Sequence, residues 1–249
     1  MRYLSDIRNL IEFLLGNPSQ HVLVISGPSG WAKTASIRKI LGDLEVGYSL
    51  LGAYSTPLGL YNKLAAGAAE DDNLVARDLH ILDDTAGVLN NAQALSILNA
   101  ASWPSAGQGN KRRIVWTSAR RNATLPHFYF EGKLIVLTNY MTELPQARAF
   151  VNRALNYKIE IRAKEIRSLF LEAAKSREYF PNRDQAAIVA RFVADQAKNF
   201  APGKISLRDL TRAYEFASYF PETAAWQNLF LKTLPPRGIG DISPREKYN

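Results

Sequence analysis

Apolar positions follow two regimes along the chain. Up to about residue 162, short β-branched runs alternate with segments of helical period; beyond it only the helical period remains. The first segment, Ser5 to Leu15, places Ile7, Leu10, Ile11 and Leu14 on one helix face, with Ser5 as a cap. Asn17, Pro18 and Ser19 then turn the chain into an unbroken apolar run, Val22 to Ile25, which suits a strand buried on both faces. A helix is expected over Thr34 to Leu41, ended by Gly42, then a strand over Val46 to Tyr54 and a Gly-interrupted helix over Pro57 to Ala69. An exposed acidic loop separates these from a second core strand, Leu79 to Leu82. A helix over Asn91 to Ala101 precedes a candidate β-hairpin, Ile114 to Thr117 against Phe128 to Phe130. Leu134 to Thr138 is a third core strand, Pro145 to Leu155 a helix and Tyr157 to Ile161 a last short strand. Four helices follow, near Lys164–Lys175, Arg183–Asn199, Ser206–Tyr219 and Thr223–Leu231. The stretch from Pro235 has no apolar period and is expected to be a mobile arm.

The expected organisation is an α/β domain over residues 1–162, with a β-hairpin insertion near 113–131, a helical domain over 163–234 and a tail over 235–249.

The transition after the first core strand carries the chemistry. Gly27, Pro28, Ser29, Gly30, Trp31, Ala32, Lys33 and Thr34 join a strand to a helix, the setting of a phosphate-binding loop. Glycines let the backbone curl so that its N–H groups and the helix N-terminus face phosphate oxygens. Lys33 would reach the β- and γ-phosphates, and the Thr34 hydroxyl would ligate Mg²⁺. Ala32 stands where the pattern has its second Gly and is expected to keep helical backbone angles at low cost. The second core strand runs into Asp83 and Asp84, acids at a strand's carboxyl end, where open α/β sheets bind ligands. Asp83 would hold the metal's water shell and Asp84 would polarise an attacking water.

Composition narrows the class. A chain of 249 residues, 47% hydrophobic, is long enough for one α/β domain with a helical appendage. No apolar run approaches the about 18 residues that cross a bilayer, and residues Met1 to Asp6 do not read as a signal peptide. With no cysteine there is neither a disulfide framework nor a thiolate metal site, and His21, His80 and His127 lack metal-ligand spacing. A soluble, cytoplasmic protein without membrane association is expected. The net charge of +8 is compatible with a polyanionic partner. Its placement is more telling: Lys111, Arg112 and Arg113 precede the hairpin, and Arg120 and Arg121 occupy its tip.

The order of phosphate loop, Asp-Asp strand, Asn139-tipped strand, Arg-bearing helix and helical C-terminal region resembles the AAA+ ATPases over about residues 20 to 220. That resemblance implies a P-loop NTPase fold with a central parallel sheet and a small all-helical lid. It makes Asn139 the first sensor, which orients water, and Arg208, in the first turn of a helix capped by Ser206, a sensor of the γ-phosphate. Arg153 best matches the arginine finger that reaches a neighbouring subunit's nucleotide, with Arg148 the second choice. Ala before the loop lysine, together with the hairpin before the sensor strand, is similar to the minichromosome-maintenance helicases and MoxR-type ATPases. The Ser55–Leu60 stretch looks like one in the former, and superfamily 3 helicases also place a hairpin there. Asp84 departs from the usual Glu, so ATP binding is a safer expectation than fast hydrolysis. The implied function is an ATP- and Mg²⁺-dependent ring motor, a hexamer acting on single-stranded DNA in phage or mobile-element replication. A protein partner would supply specificity. The rivals are a MoxR-like protein remodeller and a slow-hydrolysing helicase loader or switch.

Overall fold

The computed structural model describes residues 2–52, 55–68, 73–83, 86–104, 109–117, 123–139, 144–200 and 204–234. Asp84, Arg120, Arg121, most of the acidic loop and the tail lie outside them. The elements are α1 (Arg2–Gly16), β1 (Val22–Ser26), α2 (Lys33–Asp43), β2 (Ser49–Gly52) and α3 (Pro57–Ala65), which ends in a 3₁₀ turn, Ala66–Ala68. Next come β3 (Val75–Ala76), β4 (Leu79–Asp83), α4 (Ala86–Leu89), α5 (Ala92–Ser102), β5 (Arg112–Val115), β6 (His127–Phe130) and β7 (Lys133–Thr138). They are followed by α6 (Pro145–Asn152), β8 (Leu155–Lys158), α7 (Ala163–Ala173), α8 (Arg183–Ala197), α9 (Leu207–Tyr219) and α10 (Thr223–Thr233). The chain divides into two compact units: an α/β unit of residues 2–27 and 33–159, and a helical unit of residues 28–32 and 160 onward.

In the α/β unit a five-stranded sheet runs β2-β4-β7-β1-β8, every pairing parallel. Continuous apolar runs make this possible, since both sheet faces are covered and both parities must be apolar. Val22, Leu23, Ile25, Ile81, Leu82 and Leu134 to Val136 are all inaccessible to solvent. Because the strands are parallel, their carboxyl ends share one edge. Ser26 lies opposite Thr138, and Leu82 opposite Val136 one residue before Asp83. The loop after β1, the acid after β4 and the amide after β7 therefore meet by topology alone.

A second, three-stranded sheet runs β3-β6-β5. β5 and β6 form the expected antiparallel hairpin, and β3, too short to show a pattern in sequence, adds a parallel strand to it. One face is packed: Ile114, Phe128 and Phe130 are buried with Ala76 and α5 residues in a common core. α3 braces the hairpin's return limb. The Tyr61 hydroxyl donates to Leu125 O (2.9 Å), and Thr124 N–H donates to Asn62 Oδ1 (3.1 Å). Tyr61 also packs edge-on against Phe128.

Several boundaries differ from expectation for identifiable reasons. α2 runs past Gly42 to Asp43 and stops where Glu45 turns left-handed (φ 55°); Val46 N–H then caps the helix at Leu41 O. Spent in that way, Val46 cannot open the strand, and β2 begins at Ser49. α6 ends at Asn152, so Leu155 starts β8 instead of closing a helix, and β8 stops at Lys158.

The helical unit is a packed set of amphipathic helices. Phe170, Val189, Val193, Leu210 and Phe230 are buried, and Phe192 meets Trp226 edge-to-face at 5.0 Å. Asn182 caps α8 by accepting from Gln185 N–H, while its own N–H donates to the Tyr214 hydroxyl. Among the described residues no helix is long and apolar enough to cross a membrane.

Candidate functional site

At the carboxyl edge of the five-stranded sheet, α2 begins at Lys33 directly after the glycine turn, so its free N–H groups sit at the phosphate loop. Gly27 must be glycine: a Cβ there would stand 2.8 Å from Ile159 Cβ. Lys33 is buried, and its ammonium donates to Gly27 O at 2.9 Å and to Asn139 Oδ1 at 2.8 Å. Thr34 Oγ1 donates to Asp83 Oδ2 at 2.8 Å. Lys33, Thr34, Asp83 and Asn139, four residues spread over more than a hundred positions, are thus joined in two contacts.

The middle of the loop, Pro28–Ala32, groups with the helical unit. Trp31 is fully buried and stacks on Phe170, with ring centroids 5.8 Å apart and planes 4° from parallel. Its side chain is an anchor, and only its main chain remains for a ligand. Gly30 has φ 79°, and a Cβ on it would collide with the Ser206 hydroxyl. Arg208 N–H donates to Gly30 O at 3.3 Å. Ser206 caps α9 in a capping box, its own N–H bonded to Asp209 Oδ2 at 2.9 Å, which puts Arg208 in the first turn with an exposed side chain.

Ala32 departs from its expectation. Its φ is 55°, so it is left-handed, not helical. A Cβ in that conformation costs about 1–2 kcal/mol. The loop keeps the backbone path that glycine would take and carries the strain of alanine.

The arginines divide by environment. Arg153 is exposed just after α6, and its Nη1 donates to Asn99 Oδ1 at 3.0 Å. Asn99 Nδ2 is held by Leu95 O and Gln146 O (2.9 and 3.0 Å), which turns its oxygen toward the guanidinium. Arg148 is exposed on α6. Arg112 is corrected outright: it is fully buried, its Nε donating to Phe130 O at 2.9 Å and its Nη2 to Gly132 O, with the guanidinium 5.0 Å from the Phe130 ring. Burial lowers its pKa to about 10. It holds the hairpin's base and offers nothing to a nucleic acid. Lys111 and Arg113 are exposed. His21 is pushed down to about 4 by burial, then by Arg112 and Lys133. His80 is likewise pushed down to about 4 by burial, and its Nδ1 bonds the Ser49 hydroxyl at 2.8 Å.

Sequence reasoning missed Asn99, Trp31's partner Phe170 and the α3 brace. None lies in a motif, and each acts through a contact that only folding creates. Among the described residues no group of three His, Asp or Glu could enclose a metal. One hydroxyl and one carboxylate are what Mg²⁺ takes from protein when phosphate and water complete its shell.

No family model matches the sequence, and no curated protein matches it. Solved structures do share its fold. The Thermotoga maritima RuvB Holliday junction branch migration motor aligns with a TM-score of 0.54 at 14% identity, over 93% of this chain and 67% of that one. Drosophila ORC, in a structure bound to DNA, aligns with a TM-score of 0.50 at 16% identity, over 92% of this chain and 59% of that one. With its five parallel strands, flanking helices and phosphate loop, the chain has the α/β fold of the AAA+ P-loop NTPases.

Proposed function

We propose that this protein is an ATP-binding and ATP-hydrolysing AAA+ motor that works on nucleic acid as an oligomeric ring. The observation that carries the reading is the convergence of Lys33, Thr34, Asp83 and Asn139 at the carboxyl edge of the sheet. Their chemistry is that of triphosphate recognition. Lys33 brings a positive charge held in a buried setting, where it acts more strongly than in water. Main-chain N–H groups from Gly30 to Thr34 supply directed donors. Thr34 and Asp83 would hold Mg²⁺, which neutralises charge on the β- and γ-phosphates when bound. Asn139 Oδ1 orients the Lys33 ammonium and, by its place at the end of β7, is the residue to position water. Asp84 is assigned to polarise that water. Such a site works by positioning and charge stabilisation, with no covalent intermediate.

Arg208, tied to the loop through Gly30 O, is assigned to the γ-phosphate. Arg153, exposed and steadied by Asn99, is assigned to a neighbouring subunit's nucleotide in a six-membered ring. Lys111, Arg113, Arg120 and Arg121 supply phosphate contacts to a single-stranded DNA, contacts that are sequence-independent and salt-sensitive. Work in phage or mobile-element replication, with a partner protein for specificity, fits that chemistry.

The test is steady-state ATP hydrolysis at low salt with and without single-stranded DNA, in wild type and Lys33→Ala. Turnover that rises with DNA and vanishes in the variant is expected. Turnover indifferent to DNA would favour a polypeptide remodeller.

A further inference from the structure

We infer that the solvent face of the β5–β6 hairpin is a base-stacking platform for single-stranded nucleic acid, with Tyr129 and His127 as the rings. The inference rests on the nucleic-acid reading above and deepens it, because phosphate contacts alone do not separate single strands from duplex.

Strand alternation sorts the hairpin into two faces. Arg112, Ile114, Phe128 and Phe130 point inward and are buried. Arg113, Val115, His127 and Tyr129 take the opposite parity and reach solvent. A polar sheet face needs no aromatic ring, yet this one carries two, His127 and Tyr129, 6.3 Å apart and perpendicular. Rings set at right angles leave at least one face of each uncovered by the other. Arg113 pairs directly across from Tyr129, and Val115 across from His127. Directly opposed Cβ atoms lie about 5 Å apart, so the guanidinium is within reach of the phenol ring. A base stacked on Tyr129 would have its own phosphate within reach of Arg113.

Charge favours the same occupant. Lys111 shares the parity of Arg113 and is exposed. The acid of that face, Glu131, is paired with Arg77 at 3.2 Å, which offsets its repulsion of phosphate. Val115, 43% exposed, widens the apolar surface available to bases. Duplex DNA hides its base faces within the stack, whereas a single strand can splay them onto aromatic side chains. The platform is rigid: β6 is held by β5 on one side and β3 on the other.

The experiment is fluorescence anisotropy with a labelled oligothymidylate and a blunt duplex of equal length, across a salt series. The proteins are wild type, Tyr129→Ala, Tyr129→Phe and Arg113→Ala, each checked for an unchanged melting temperature. The expected result is a wild-type preference for the single strand. Tyr129→Ala should weaken oligothymidylate binding about tenfold and leave duplex binding unchanged. Tyr129→Phe should retain wild-type affinity, and Arg113→Ala should weaken both ligands and lower the salt slope by about one. If Tyr129→Ala binds oligothymidylate like wild type while Arg113→Ala weakens it, the stacking platform is overturned and the nucleic-acid reading stands. If wild type binds neither ligand, both fail.

Discussion

The two sheets of the α/β unit use their side chains in opposite ways. The five-stranded parallel sheet is covered on both faces at its centre, so β1, β4 and β7 are largely apolar and the polar contacts gather just beyond them, among Lys33, Thr34, Asp83 and Asn139. The three-stranded sheet is covered on one face, and polar and charged groups lie along the other, with Arg113 paired across from Tyr129. The consequence is that neighbouring residues mean different things in each. Around β4, consecutive apolar residues share one fate. In β5, Arg112 and Arg113 are adjacent in sequence and opposite in role.

The largest expected effect is at the start of α2, just after the loop that follows β1. Lys33→Ala removes the buried ammonium between Gly27 O and Asn139, and ATP turnover should fall by about 10²–10³-fold with little change in the fold, measured by steady-state hydrolysis. A variant that keeps its turnover would show that hydrolysis does not depend on this ammonium.

The next effect separates the two faces of the hairpin. Arg112→Ala removes the guanidinium that donates to Phe130 O and Gly132 O and empties a buried volume, so stability should fall by about 2–4 kcal/mol in chemical denaturation. Arg113→Ala, on the exposed face, should stay within about 0.5 kcal/mol of wild type. Equal losses would erase the distinction between the faces.

A pH effect follows from the buried histidines. His21 and His80 titrate near 4 in the folded chain and near 6.5 when unfolded. Between those values the unfolded state binds more protons, so stability is full above pH 6.5 and is lost as pH falls toward 4. A drop of about 2 kcal/mol for each histidine is expected between pH 7 and pH 4.5. His80→Asn should flatten the part due to β4.

The smallest effect is at Ala32. Ala32→Gly relieves a left-handed alanine and should raise stability by about 0.5–1 kcal/mol, the gain tempered by a freer unfolded chain. A loss on this change would show that the alanine conformation is not strained.

Much of this was legible in the chain itself. β1, β4 and β7 announce themselves as unbroken apolar runs because both sheet faces are buried, and the loop follows β1 in a recognisable pattern. Ser206 reads as a helix cap because its hydroxyl and the Asp209 carboxylate are correctly spaced. Arg112 was not legible. A basic run looks exposed until hairpin register assigns each residue a face, and register is set by pairing that sequence does not display. The sign of φ at Ala32 is equally silent, since helix propensity describes the right-handed basin and the loop demands the other. Gly42 misled for the converse reason: a glycine can end a helix, yet the stop was made by Glu45, where Val46 found a carbonyl to cap. Trp31 looked like a ligand-facing loop residue because nothing local signals Phe170, which lies on a helix nearly 140 positions away.

The most direct test of the central claim is a calorimetric titration of ATP into wild type, Lys33→Ala and Asp83→Asn, each with and without Mg²⁺. Wild type should bind ATP, more tightly when Mg²⁺ is present. Lys33→Ala should lose binding, and Asp83→Asn should lose the dependence on Mg²⁺. Wild type that binds no ATP, or a Lys33→Ala protein that binds it unchanged, would contradict the account.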